Sequence, residues 1–151
     1  MTRRPSRAAL RMASLAIVFA GHACAKTPLS TTTVSLDALA GPAWTLREWN
    51  VSEPAAATPV VSLTYEAGRF TGSSGCNRYF AAVTVGTSSD QIHVGPAGGT
   101  RMACPDPQSS TEARFLEQLG GARRFGLSAG RLTIEYARAD GTTGTMLFYR
   151  G

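Results

Sequence analysis

The chain has 151 residues, 43% hydrophobic and 17% charged, which suits one domain with a proper core and excludes a disordered chain. Its formal charge of +5 comes from 15 basic and 10 acidic residues. Arg3, Arg4, Arg7 and Arg11 lie in the first 25 residues, which hold no acid, and setting those four aside leaves 11 basic against 10 acidic residues. A nucleic-acid binder keeps its positive charge in the folded part, so no nucleic-acid partner is expected.

The four arginines precede an apolar run, Met12 to Gly21. Ten helical residues reach only about 15 Å, half a hydrocarbon core. The run is too short for a stable anchor and suits the apolar region of a secretory signal. Two cleavages compete. Ala23-Cys24-Ala25 matches A-x-A, giving a signal peptide over 1–25. Alternatively, a lipoprotein signal over 1–23 leaves Cys24 as a lipid-bearing N-terminus, although His22 and Gly21 depart from that pattern. Residues 26–35, rich in Thr, Ser and Pro, read as a flexible linker before a domain over 36–151. The expected location is periplasmic or outer-membrane-associated, with membrane contact only through a lipid on Cys24.

No period of 20 to 50 residues repeats, which argues against a solenoid. Strand signals follow one another between turns. Trp44 to Trp49 begins after Gly41-Pro42. Val60 to Tyr65 alternates, and Glu66-Ala67-Gly68 turns the chain into Arg69 to Gly72. Tyr79 to Val85 and Gln91 to Val94 come next. Ser109 and Glu112 form an S-x-x-E pattern that reads as a capping box, Phe115, Leu116 and Leu119 fall at helical spacing, and Gly120-Gly121 stops the helix. Arg123-Arg124 reads as a solvated pair after it. Arg131 to Tyr136 alternates cleanly, Asp140-Gly141 makes a hairpin turn, and Thr145 to Arg150 closes the chain. The expected fold is mainly β with one helix (α+β): a small antiparallel sheet curled into a β-barrel-like body, the helix covering an opening.

Two motifs stand out: Gly72-Ser73-Ser74-Gly75-Cys76-Asn77-Arg78-Tyr79, and Gly95 to Pro105 with Thr100-Arg101-Met102-Ala103-Cys104. With the opening Leu39, Gly41, Trp44 and Leu46, they resemble the META/HslJ-like family of bacterial envelope proteins, whose pattern runs L-x-G-x-x-W-x-L, G-x-x-G-C-N-x-Y, T-x-M-A-C, a helix and closing strands. Residues 36 to 150 carry the resemblance. One departure is Ala81-Ala82, where relatives often have glycine. The resemblance implies a small barrel-like fold and an exported protein, often a lipoprotein, linked to heat shock, envelope stress and antibiotic tolerance, with no catalytic reaction attached.

The motif residues have structural readings of their own. Gly72 and Gly75 bracket a passage that a Cβ would obstruct, and Asn77 tolerates left-handed φ. Cys76 and Cys104 form an even pair in an exported chain, which favours a disulfide stabilising by roughly 3 to 4 kcal/mol. Two buried free thiols are the competing reading, and geometry decides between them. A Cys76–His93 dyad is the sharp alternative, but His93 alternates with Ile92 and Val94 and points off their face. No C-x-x-C or H-x-x-x-H pair exists, so no metal and no cofactor is expected. Glu112 and Glu117 read as cap and solvated face. Trp44, Trp49, Tyr65, Phe70 and Tyr79 read as core, and Thr100 and Arg101 as a loop bonding to itself in preference to an anion site.

The expectation is a monomeric, non-enzymatic envelope module whose partner is an unknown envelope protein or small ligand. The alternatives are a cysteine-dependent enzyme or redox protein using Cys76 and Cys104, and an inhibitor or adhesion factor presenting the loop Gly95 to Pro107.

Overall fold

A computed structural model describes residues 34–151. The leader, its two cleavage readings, Cys24 and most of the linker lie outside the described residues. Val34 packs on the core and Ser35 caps a 3-10 helix, Leu36–Leu39, by accepting the Asp37 N–H at 3.3 Å.

Nine strands and one helix follow. In chain order they are β1 (Trp44–Trp49), β2 (Ser62–Glu66), β3 (Arg69–Ser73), β4 (Arg78–Val85), β5 (Ile92–Val94), β6 (Gly98–Gly99), α1 (Gln108–Gly120), β7 (Ala122–Ser128), β8 (Arg131–Ala137) and β9 (Thr143–Arg150). The sheet is antiparallel in the order β5-β4-β3-β2-β1-β9-β8-β7, with β6 beside β4. Its two ends nearly meet: Gln91 bridges Arg124, and the Phe125 N–H donates to the Asp90 carbonyl at 2.8 Å. The expected curled sheet is thus a nearly closed barrel, which leaves few unpaired edges.

Alternation explains the core. Leu63 and Tyr65, Phe70 and Gly72, Tyr79, Ala81 and Val83, and Leu132, Ile134 and Tyr136 all point inward. In β1 the register against β9 shifts between Leu46 and Glu48, so one extra residue, Arg47, is accommodated and Trp49 turns inward with Trp44 and Leu46. Two tight hairpins carry positive φ at both central residues, Ala67-Gly68 and Ala129-Gly130, the geometry that matches strand twist. Asp140-Gly141 turns β8 into β9, the Asp140 carboxylate accepting the Thr142 N–H at 2.9 Å.

The helix buries Phe115, Gln118 and Leu119 and touches β5 and β8, one strand from each side of the sheet's open seam. Phe115 meets Tyr79 edge-on at 5.1 Å. Gln118 is fully buried. With its amide oxygen facing the donors, it accepts from Arg138 Nη2 at 3.0 Å, Tyr136 Oη at 3.1 Å and Arg114 Nε at 3.2 Å, so α1 docks through a polar centre as well as an apolar stripe. Arg114 also forks onto Glu53 at 2.6 and 2.9 Å.

One sequence reading about the helix is corrected. Ser109 is not the N-cap and Ser109/Glu112 is not a capping box. The helix starts at Gln108 after Pro107, and the Asp106 carboxylate does the capping, accepting from Ser110 N at 3.2 Å and Ser109 Oγ at 2.6 Å. Arg123 and Arg124 are exposed after the helix, as expected, and lie in strand β7, with Arg124 paired to Asp90.

Candidate functional site

The motif loops come together at the start of β4. Gly72 lies where β3 passes β2 so closely that a Cβ would run into the Ser62 carbonyl. Gly75 holds φ +108°, a conformation that only glycine adopts cheaply. Asn77 is not among the residues with positive φ, so its expected backbone role is corrected: its side chain is what matters.

That side chain is 6% exposed in the residue as a whole and spends its hydrogen-bonding capacity on two neighbouring segments. Oδ1 accepts from the Met102 N–H at 2.7 Å and Thr100 Oγ1 at 2.8 Å. Nδ2 donates to the Met102 carbonyl at 3.2 Å and to Glu112 Oε1 at 3.1 Å. The Asn77 backbone N–H donates to Glu112 Oε2 at 2.7 Å, and the fully buried Ser74 hydroxyl lies 2.6 Å from the same oxygen. Burial pushes the Glu112 carboxyl up, but the bonds from Ser74 and Asn77 outweigh it and hold the group below its ordinary range. Glu112 is therefore an ionised clamp reaching 35 residues back along the chain. Thr100 completes the knot: its hydroxyl accepts the Arg78 N–H at 3.1 Å and its own N–H donates to the Arg78 carbonyl at 3.0 Å. The Thr100 loop is thus held by Asn77 and β4, and not by bonds within itself.

Cys76 and Cys104 face each other as a disulfide, their Cα atoms 6.0 Å apart and 28 residues apart in sequence. The separation lies within the range a disulfide spans without backbone movement. Tyr79 turns inward, donates to the Ser62 carbonyl at 3.2 Å and is kept neutral by burial, which pushes its phenol well up. Ala103 and Met102 are exposed, Met102 at 61%.

The other candidates separate. His93 is exposed and pairs with Thr84, six positions along β4 from Arg78, roughly 20 Å from the cysteine end of the strand. It is not brought to Cys76. Glu117 is exposed and stands 3.7 Å from Arg138. Trp44, Trp49, Tyr65, Phe70 and Tyr79 are all buried in the core. Met102 is the obvious projecting residue of the Gly95–Pro107 loop, yet both its N–H and its carbonyl are taken by Asn77. Among the described residues no cluster of three His, Cys, Asp or Glu gathers to hold a metal.

The chemistry of the motif is thus cohesion: an amide, a carboxylate, two hydroxyls and a disulfide tie three loops into one. Glu112 is the participant that local sequence reading assigns elsewhere, and Ser74 is a motif residue to which it gives no role. No local signal pairs Glu112 with a loop so distant, because S-x-x-E satisfies a helix-start pattern unaided.

The comparisons with known proteins agree with this picture. The family profile described as the META domain matches residues 37–148. A protein from Burkholderia xenovorans solved by NMR is similar at 25% identity and a TM-score of 0.53, over 76% of this chain and 85% of that one. The crystal structure of a DUF4847 family protein from Bacteroides vulgatus shares the fold at 17% identity and a TM-score of 0.52, over 75% of this chain and 94% of the other. None of the curated protein sequences matches. Profile, motif order and barrel concur: the chain belongs to the META-domain family.

Proposed function

We propose that this chain is an exported, non-catalytic META-domain protein of the cell envelope, a binding or structural module whose setting is envelope stress and antibiotic tolerance. The observation that carries the reading is the Cys76–Cys104 pair at disulfide distance, because such bonds persist in oxidising compartments and not in the cytosol. The Arg-rich, apolar leader supports the same address. Non-catalytic action is supported by where the motif's polar groups go: Asn77, Glu112, Ser74 and Thr100 satisfy one another, and His93, the one histidine among the described residues, stands far from the sulfurs.

Mass spectrometry of the protein recovered from membrane, periplasmic and cytosolic fractions tests this. The expected result is a mature N-terminus at Lys26, or an acylated Cys24, together with the loss of the two thiol hydrogens of Cys76 and Cys104. An intact precursor in the cytosol with both thiols free overturns it. So does a thiol at Cys76 that alkylates rapidly at neutral pH in the native fold, which is the behaviour of an activated nucleophile.

A further inference from the structure

The outward face of the β3–β4 hairpin carries cations that no acid of the protein pairs with. β3 places Arg69, Thr71 and Ser73 on this face, and the register sets Ala82, Phe80 and Arg78 opposite them. Arg69 and Arg78 therefore stand four positions apart along β4, roughly 13 Å, with Phe80 and Thr71 between them. Arg69 lies over the Phe80 ring at 5.7 Å from its centroid, and Phe80 is 50% exposed. A groove of about 590 Å³ runs over these side chains to Gly99 and Thr100. A second depression of about 190 Å³, lined by Gly98 and Arg101 but also by the ionised Glu112, adjoins it at Arg78 and Gly99.

Two unpaired arginines share this face, whereas Arg47, Arg123, Arg131 and Arg150, which also lack a carboxylate within 4.0 Å, lie on other strands. The 15 basic residues, less Arg3, Arg4, Arg7, Arg11 and Lys26, leave 10 in residues 34–151 against all 10 acids. Arg114, Arg124 and Arg138 each have a carboxylate partner. Arg69, Arg78 and Arg101 are exposed, and no carboxylate oxygen comes within 4.0 Å of any of them, although Glu66 stands opposite Arg69 at the hairpin's end.

Shape and pairing narrow the occupant. The surface is a shallow, open groove whose two arginines stand roughly 13 Å apart, a spacing that suits a polymer with repeating charges. Its floor is fully paired backbone: β3 is bonded to β2 and β4, and β4 is flanked by β3 on one side and by β5 and β6 on the other. An extended peptide would find no strand edge to extend and would lose the main-chain bonds that give such peptides affinity. What the groove offers is guanidinium groups, a hydroxyl and an aromatic ring, the groups that meet carboxylates, sugar hydroxyls and the apolar face of a sugar. We propose that this groove binds an acidic polysaccharide, with carboxylates of separate sugars on Arg69 and Arg78 and a ring between them against Phe80 and Thr71. The proposal rests on the reading of the chain as an exported binding module, since such polymers lie outside the cytosol.

The test titrates the chain, purified from its native compartment, with polygalacturonate. Neutral dextran, poly-glutamate and phosphatidylglycerol vesicles provide the other arms. Polygalacturonate is expected to bind in a salt-sensitive manner, dextran not at all, and the amides of residues 69–71 and 78–80 to shift in NMR spectra of the unaltered chain. Arg69→Ala/Arg78→Ala is expected to weaken binding at least tenfold and Phe80→Ala severalfold, while Arg131→Ala, an exposed arginine on β8, leaves it unchanged. Absence of polygalacturonate binding overturns the proposal, as does equal binding by the double variant, or tighter binding of poly-glutamate or vesicles. An exported chain that ignores the polymer overturns this proposal alone, whereas a cytosolic chain overturns the reading beneath it.

Discussion

Asn77 has an unusual burden, because one amide, itself buried, must supply both acceptors and donors to segments on opposite sides of it. Removing it leaves the Met102 N–H and carbonyl and the Glu112 carboxylate short of partners, and stranded polar groups cost more than the bonds themselves are worth. Asn77→Ala is therefore expected to destabilise by about 2–3 kcal/mol in urea unfolding. Asn77→Asp keeps the acceptors for Thr100 and Met102 but sets a second negative charge against Glu112 and the Met102 carbonyl. It is expected to be at least as damaging as alanine at neutral pH and to recover as acid protonates the pair. If Asp is tolerated at pH 7, the side chain's donor role is wrong. Glu112 adds a dependence with a definite sign. Its carboxyl is held below the ordinary 4.5 in the fold, so the unfolded chain binds protons first as pH falls. The stabilisation is fully present above about 4.5 and is lost as pH drops through the lower folded value. Glu53, Asp90, Asp106 and Asp140 shift the same way, so the check is comparative: Glu112→Gln should be less stable at neutral pH and lose less stability than the unaltered chain between neutral pH and about pH 3.

The start of α1 shows how a local pattern can be right about place and wrong about agent. Ser109 and Glu112 mark the correct turn of chain, but Asp106 holds the exposed N–H of Ser110 and Glu112 is drawn away to Asn77. Asp106→Ala should then cost about 1 kcal/mol, the worth of a cap, measured as a lowered unfolding midpoint, with Ser109→Ala costing less. The reverse order would restore Ser109 as the cap. Strand β7 was illegible for a related reason. Its buried positions are Ala122 and Phe125, three apart, because the register against β8 shifts between Ala122 and Arg124. A bulge of this kind destroys period-2 alternation in the sequence. The strands that alternate without interruption, such as Leu63 and Tyr65 or Leu132, Ile134 and Tyr136, were legible, as were the hairpin at Asp140-Gly141 and the apolar stripe of α1. Order around the barrel was not, since β1 pairs with β9 across the whole chain and no local signal specifies that. In the motif, the glycines and the cysteine pair could be read from turn and redox chemistry. The clamp of Glu112 on Asn77 could not, being a contact between segments 35 residues apart.

Because β1 lies between β2 and β9, the barrel cannot close until its last strand arrives, although the other neighbours along its strand order are consecutive in sequence. Bringing β9 to β1 carries a loop-closure cost before contacts repay it. The Cys76–Cys104 bond acts on that cost. It joins the entry of β4 to the approach of α1 across 28 residues and encloses β4, β5 and β6, which shortens the unfolded ensemble without adding apolar contact. The loop length corresponds to roughly 3 to 4 kcal/mol in the chain-entropy account. The Asn77–Met102 and Thr100–Arg78 bonds hold the same two segments without covalent help, so the barrel itself should survive reduction. Cys76→Ser/Cys104→Ser is accordingly expected to keep the native circular dichroism and lose about 3–4 kcal/mol in urea, with part of that loss appearing as a steeper dependence on urea because the released denatured chain exposes more surface. Adding Asn77→Ala to that double variant removes the second tie between the same segments and should cost more than it does in the oxidised chain. If the two losses simply add, clasp and clamp stabilise different parts of the fold, and the view of one jointly held loop assembly is wrong.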